Sequence, residues 1–326
     1  MMAFYGKLAF ATAALGAVLA TAAPANAQFI NIVSGGTTGV YYPLGQALEA
    51  IYAQAMPQAR VQHQATAASV ENLNLIQQGR AEIAFTLGDA LSDAVRGNAE
   101  VGFAQPLTRV RTIGGLYSNY IQIVASKESG VKSLADLRGK RISVGAARSG
   151  TEVNARAIFQ AAGLGYGGPQ NLGTGFSQVQ FLPFGQSVDL IKNRQLDATL
   201  ISAGLGVAAI RDVAATSDIV IVAVPADVIT KIGDPAYQPG TVPAGTYRGQ
   251  DEAIATAQIK NFLVTSDRVP DDQVYTMTKA MFENLDRMVA SAAAARGIKL
   301  EDAFQNPPAP LHPGAARYYR ERGLLK

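Results

Sequence analysis

The stretch Ser34-Gly-Gly-Thr-Thr-Gly-Val-Tyr-Tyr-Pro43 packs three glycines, two threonines and two adjacent tyrosines into one turn between an apolar run and a helix-like one. A turn built of small residues leaves backbone N–H groups uncovered at a helix start, where an anion can reach them. Pro43 suits the first helical turn, because its missing N–H would have no partner there. Tyr41 and Tyr42 cannot both face a core from neighbouring helix positions, so one of them is expected to present its ring and hydroxyl to a ligand. Two more junctions share this polar, small-residue character. In Ser69-Val-Glu-Asn-Leu73 the serine is placed to cap a helix, and in Arg148-Ser-Gly-Thr-Glu152 Ser149 and Glu152 have capping-box spacing. Asp89, just after an apolar strand-like run, either caps the next helix or lines a cleft. Helix capping alone accounts for each junction taken singly.

Other chemistries fit the residues less well. The first turn lacks the lysine of a phosphate-binding P-loop, and Gly35, Gly36 and Gly39 do not give the dinucleotide-binding spacing. There is no cysteine, and the two histidines, His63 and His312, read as structural residues. No metal site, cofactor or catalytic residue is therefore expected, and the protein is not expected to be an enzyme. Arg148 has two readings: a solvated rim charge, or a guanidinium beside a helix start that grips a carboxylate through paired hydrogen bonds.

The elements that must position these loops follow from periodicity. Short β-like runs alternate with helical patterns from Ile30 to Arg96, and a second such series runs from Arg141 to Val224. Each is the signature of βαβ units with a mostly parallel sheet. Strand-to-helix loops in such sheets collect at the carboxyl edge, where ligands bind. Between the series lies Tyr120 to Ala125, and after the second lies Ala257 to Val264; both read as crossover strands of a hinge. The expected organisation is lobe I over 28–125 plus 250–326 and lobe II over 126–249, with the Pro/Gly-rich run Gly233 to Gly249 as an irregular approach to the return crossing. Helices over Asp271 to Ala294 and Gly314 to Glu321 are expected to pack back on the first lobe.

Bulk properties agree. Residues 1–27 read as a signal peptide, with Lys7 as the only charge, an apolar segment from Leu8 to Ala23 and the cleavage pattern Ala25-Asn26-Ala27. Their removal from the 326 residues leaves 299, long enough for two lobes. With no thiol for a lipid anchor, the expected product is free in the periplasm. The whole chain carries 28 Lys and Arg against 25 Asp and Glu, and no basic run long enough to follow a phosphate backbone, so nucleic acid is not an expected partner.

The segments SGGTTGVYYPLG, SVENLNLI, SLADLRGKRISVGAARSGTEVNARAI, TVPAGTYRGQDEAIATA, MTKAMFENLD and PLHPGAARYYRERG together resemble, in order and over nearly all of the mature chain, the TAXI family of solute receptors of TRAP transporters. The resemblance implies a two-lobed periplasmic binding protein of type II-like α/β fold, each lobe a mostly parallel sheet flanked by helices, with two hinge crossings. It further implies a monomer that captures a small organic anion or amino acid, glutamate-like or dicarboxylate, and hands it to TRAP permease subunits driven by an ion gradient. Carried across residue by residue, it places Gly36, Thr37, Thr38, Gly39, Val40 and Tyr41, then Asn72, Asp89, Ser149, Gly150, Thr151 and Glu152, and finally Ser202, Ala203 and Gly204 along the cleft. Arg148 joins them if its guanidinium binds. Three stretches depart from the family's usual pattern: Thr37 to Tyr42, Thr86 to Asp89 and Ala147 to Glu152. The alternatives are a receptor for an ATP-driven importer and, on the same scaffold, an enzyme.

Overall fold

Apolar residues at every second strand position decide which face of the sheet each side chain enters. In β1 (Phe29–Val33) Ile30 and Ile32 join one buried cluster and Val33 the other; in the central strands Val124 and Ile201 lie on the first face, Ile123 and Leu200 on the second. Helices then cover both faces, as a sheet buried on two sides requires. This computed structural model describes residues 29–166 and 175–326, so the expected signal peptide lies outside the described residues. Among them, no helix is long and apolar enough to cross a membrane.

The first αβ series is β1, α1 (Tyr41–Ala55), β2 (Arg60–Gln64), α2 (Ser69–Gln78), β3 (Ile83–Leu87) and α3 (Gly88–Arg96). The long strand β4 (Val110–Ser126) follows. The second series is β5 (Arg141–Ser143), α4 (Gly150–Ala161), β6 (Gln178–Gln180), α5 (Phe184–Lys192), β7 (Ala198–Ala203), α6 (Ala208–Thr216) and β8 (Ile219–Val222). Next come α7 (Ala226–Ile232), β9 (Gln238–Val242), β10 (Ile254–Ser266), α8 (Asp271–Glu283), α9 (Leu285–Ser291) and α10 (Pro313–Glu321). In α1 the buried Leu44, Leu48, Ile51 and Tyr52 repeat at helical spacing, while α2 and α3 end at Gly79 and Gly97 in the left-handed conformation that suits glycine.

The strands form one sheet in the order β2-β1-β3-β10-β4-β7-β5-β6, with β8 on β4 and β9 on β10. Pairing is parallel within each series and antiparallel wherever β4 or β10 takes part. These two strands, 17 and 13 residues long, pair from Gln258 opposite Tyr120 to Ser266 opposite Val110 and carry the ladder from one half of the molecule into the other. The two αβ series thus belong to a mixed α/β fold joined by a pair of crossing strands.

Two expectations need correction. The run Gly233 to Gly249 contains β9, which pairs with β10 from Val242 opposite Ile254 to Gln238 opposite Gln258; Pro239 is tolerated because β9 pairs on one side only. The helix expected over Asp271 to Ala294 breaks at Asn284, whose φ of −124° leaves the helical region, so α8 and α9 are separate elements.

The two halves touch directly. The Glu71 amide donates to the Arg148 carbonyl at 3.2 Å, and Arg156 Nη1 donates to the Glu100 carbonyl at 2.7 Å. Deeper in, Asp89 at the start of α3 accepts through Oδ2 from Asn154 Nδ2 of α4 at 2.6 Å and from the Tyr237 hydroxyl at 2.7 Å. Burial, with smaller contributions from Asp234 and Asp93, pushes the Asp89 carboxyl up to about 7.

Two predictions follow from this packing. A Cβ at Gly114 of β4 would lie 2.5 Å from the Tyr319 hydroxyl, which donates to the Ile113 carbonyl. Gly114→Val should therefore cost about 1–3 kcal/mol of unfolding free energy in urea titration, through overpacking; no change would mean that α10 yields freely. Asp89 is held above its ordinary value when folded, so the folded state keeps a proton that the unfolded chain loses. Its stabilising contribution is complete below pH 3.8 and is lost as pH rises through about 7. Urea midpoints measured from pH 5 to 8 should fall less steeply in Asp89→Asn than in the wild type; parallel curves would refute the assignment.

Candidate functional site

Four strand-to-helix turns open onto one cavity of about 290 Å³ between the halves. From the first half come the β1–α1 turn (Gly35, Gly36, Thr38 to Tyr41), the β2–α2 turn (Thr66 to Ser69) and Leu87; from the second come Ala146, Ser149 to Thr151, Pro183 and Phe184. Helices α1, α2, α4 and α5 all begin at this cavity, at Tyr41, Ser69, Gly150 and Phe184. The first-turn N–H groups of a helix have no partner inside it and carry partial positive charge, so four such starts around one space make it receptive to an anion. Tyr117 and Asn119 of β4 and Ser202 and Ala203 of β7 complete the lining.

Local chemistry explains why the turns sit as they do. Ser149 caps α4 by accepting from the Glu152 amide at 3.0 Å. The reciprocal half of a capping box is absent: both Glu152 carboxylate oxygens take hydrogen bonds from Arg156, at 2.7 and 2.8 Å, and the Ser149 amide donates to the Ala146 carbonyl. The first turn is braced from behind by Asn72, whose Nδ2 donates to the carbonyls of Ser34 at 2.7 Å and Phe85 at 2.8 Å while its Oδ1 accepts from Thr66. Of the adjacent tyrosines, Tyr41 stacks on Phe85 and lines the cavity, whereas Tyr42 packs edge-on against His63.

A chain of buried polar groups ties the lining together. The Tyr41 hydroxyl donates to Asn261 Oδ1; Asn261 Nδ2 donates to Asn119 Oδ1 at 2.9 Å and to the Tyr117 carbonyl at 2.8 Å; Asn119 Nδ2 donates to the Ser202 carbonyl at 2.9 Å. The chain links α1 through β10 and β4 to β7, crossing from one half to the other. Tyr117 (3% exposed) and Ser202 (4%) contribute to the lining, but their hydroxyl oxygens are closed off and have no protein partner. Burial raises Tyr117 well above its ordinary value, so its hydroxyl keeps its proton and can donate.

The candidate residues divide accordingly. Gly36, Thr38, Gly39, Val40, Tyr41, Ser149, Gly150, Thr151, Ser202 and Ala203 come together on the lining; Thr37, Asn72, Asp89, Arg148, Glu152 and Gly204 lie off it. Asn72 and Glu152 are buried and committed to the contacts above, and Asp89 serves the contact between halves. Gly204 packs behind the wall, where a Cβ would lie 2.6 Å from that of Ala294. Arg148 is exposed, and its role lies in the backbone: a left-handed φ of 63° turns its carbonyl towards Glu71. Tyr117, Asn119, Asn261, Pro183 and Phe184 are additions that the sequence pattern does not single out. Among the described residues no group of His, Cys, Asp and Glu could hold a metal ion, and no charged side chain is on the lining. Both histidines take structural places: His63 Nε2 lies 2.7 Å from Ser34 Oγ, and His312 caps α10 by accepting from the Gly314 amide.

The arrangement has solved counterparts. The binding protein component of an ABC phosphonate transporter from Pseudomonas aeruginosa superposes with a TM-score of 0.55 at 11% identity, over 84% of this chain and 81% of that one. A structure described as a periplasmic transporter gives 0.53 at 11% identity over 91% and 93%, and a putative L-cystine ABC transporter protein from Listeria monocytogenes gives 0.50 at 10% identity over 83% and 98%. At these identities the likeness is one of fold, the two-lobed fold of periplasmic binding proteins. The family match is one of sequence: residues 32–323 fit the NMT1-like family, and the chain belongs to that family.

Proposed function

We propose that the protein is an exported solute receptor, working as a monomer in the periplasm, that traps a small organic anion between its halves and delivers it to a TRAP permease driven by an ion gradient. The observation that carries this reading is the convergence of four helix starts from both halves on one cavity. An anion there interacts with both sets of amides at once only when the halves are shut, and this differential affinity is what shifts an open population to a closed one. No bond is made or broken in such a cycle. The six motifs of the TAXI resemblance support the TRAP assignment. A second reading, a receptor serving an ATP-driven importer, is favoured by the description of the Pseudomonas aeruginosa counterpart as part of an ABC transporter; an ATPase gene beside this one would select it, and a large multi-span permease gene alone would select the first.

The point of closure gives a direct test. A Cβ at Gly150 would lie 2.5 Å from Ser69 Oγ and 2.7 Å from Leu87 Cδ1, both in the opposite half, so a larger side chain wedges the halves apart without entering either core. In a thermal-shift panel of small organic acids, a solute at a hundred times its Kd should add about 2.7 kcal/mol of stability to the wild type. Gly150→Leu should lose most of that gain while its circular dichroism and its unliganded midpoint stay close to wild type. A wild-type protein indifferent to every acid, or a variant that binds as tightly, would overturn the proposal.

A further inference from the structure

Charge balance and wall chemistry at the cavity narrow the solute. A helix start acts as roughly half a positive charge, so the four starts together supply about two. Part of this is met from within. Glu71 lies in the first turn of α2, where its Oε2 accepts from the Ala67 amide at 2.7 Å, and it sets about one negative charge against that start. Glu152, in the first turn of α4, leaves the balance unchanged because Arg156 holds its carboxylate at 2.7 and 2.8 Å. Neither α1 nor α5 has an acidic residue in its first turn. Arg148 is exposed and off the lining, where water and salt screen it. What is left for a solute is about one positive charge, and among the described residues no charged side chain on the lining adds to it.

The wall around that charge is mostly apolar, with Val40, Leu87, Pro183 and the rings of Tyr41, Tyr117 and Phe184. The Tyr41 hydroxyl is bonded to Asn261 and that of Tyr117 is closed off, so these two residues present ring carbon. Most polar side chains of the lining are already bonded within the protein: Thr66 to Asn72, Ser69 to the Leu87 amide, Ser149 to the Glu152 amide, and Asn119 to Asn261 and the Ser202 carbonyl. A second carboxylate on the solute would be taken from water with no countercharge left to meet it, whereas a hydrocarbon end gains by burial against the rings.

Resting on the receptor reading, we infer that the solute is a monocarboxylate with a hydrocarbon body, branched or aromatic, rather than a dicarboxylate. Its one carboxylate meets the helix starts, and its body meets the apolar wall. Glu71, although off the lining, then takes part in specificity by holding the net charge of the site to that of a single anion.

Two pairs of acids matched in shape test this by calorimetry on the purified protein: isocaproate against succinate, and 5-methylhexanoate against glutarate. In at least one pair the monocarboxylate should bind at least about tenfold more tightly. Glu71→Gln keeps an oxygen for the Ala67 amide and removes the negative charge. A dianion gains more than a monoanion from that change, so the preference should narrow at least about threefold. A preference below tenfold in both pairs, or one that Glu71→Gln leaves untouched, overturns the inference. If none of the four binds, the acid that does so in the thermal-shift panel, in a manner lost in Gly150→Leu, decides. A monocarboxylate with a hydrocarbon body upholds the inference; any other acid overturns it and leaves the receptor reading standing. If nothing binds in either experiment, both fall.

Discussion

The antiparallel pairing of β4 with β10 is the constraint on which the molecule depends. Both αβ series hang from this one ladder, β3 on the outer edge of β10 and β7 on the outer edge of β4, so the relative position of the halves is set by how two strands bend. Bends in paired strands concentrate where the register shifts, and this pair shifts between Lys260 and Phe262 and again between Leu263 and Val264. Asn261 sits between the paired residues of the first shift, and its side chain joins Tyr41, Asn119 and Tyr117. The irregular point of the ladder is therefore also the hub of the polar chain beneath the cavity. Packing geometry and site geometry share a residue.

That sharing shapes the energetics. A buried amide such as Asn261 costs free energy unless all its groups are matched, and here both its oxygen and its nitrogen are. A fully matched network permits one arrangement and penalises its neighbours, so it holds the Tyr41 ring, the β4 wall and the Ser202 end of β7 in fixed relation. By contrast, the contacts that close the outer rim are single backbone or exposed bonds, such as Glu71 to Arg148 and Arg156 to Glu100. These outer bonds are weaker than the buried Asp89, Asn154 and Tyr237 cluster beneath them, which also joins the halves.

Much of this was legible in the residues because helix starts and strand alternation are local properties. Ser149 caps α4 because a serine hydroxyl reaches an amide three residues on, whatever surrounds it; the runs from Ile30 and Ile83 are strands because their apolar residues fill both faces of a covered sheet. Gathering the turns at one cavity also follows from local pattern, since strand-to-helix loops share an edge. What escaped is non-local. Asn119 and Asn261 are polar residues inside strands, lying 142 positions apart, and only the β4–β10 register brings them together. Arg148 attracted notice for its charge, yet its contribution comes from a backbone torsion that its side-chain chemistry does not announce. By sequence alone Asp89 caps a helix or faces the cleft, whereas in the structure it meets partners 65 and 148 positions away on the opposite half. The strand within the Pro/Gly-rich run is decided by its pairing with β10, which the composition of the run does not announce.

The cavity's positive potential arises from peptide dipoles at four helix starts, not from side chains. Peptide groups do not titrate, so acidification or alkalinisation of the medium cannot switch this attraction off as it would a lysine or histidine. Being recessed, the dipoles are also less exposed to counterions than surface charges are. An anion site built from backbone amides keeps its strength as the pH of the surroundings drifts.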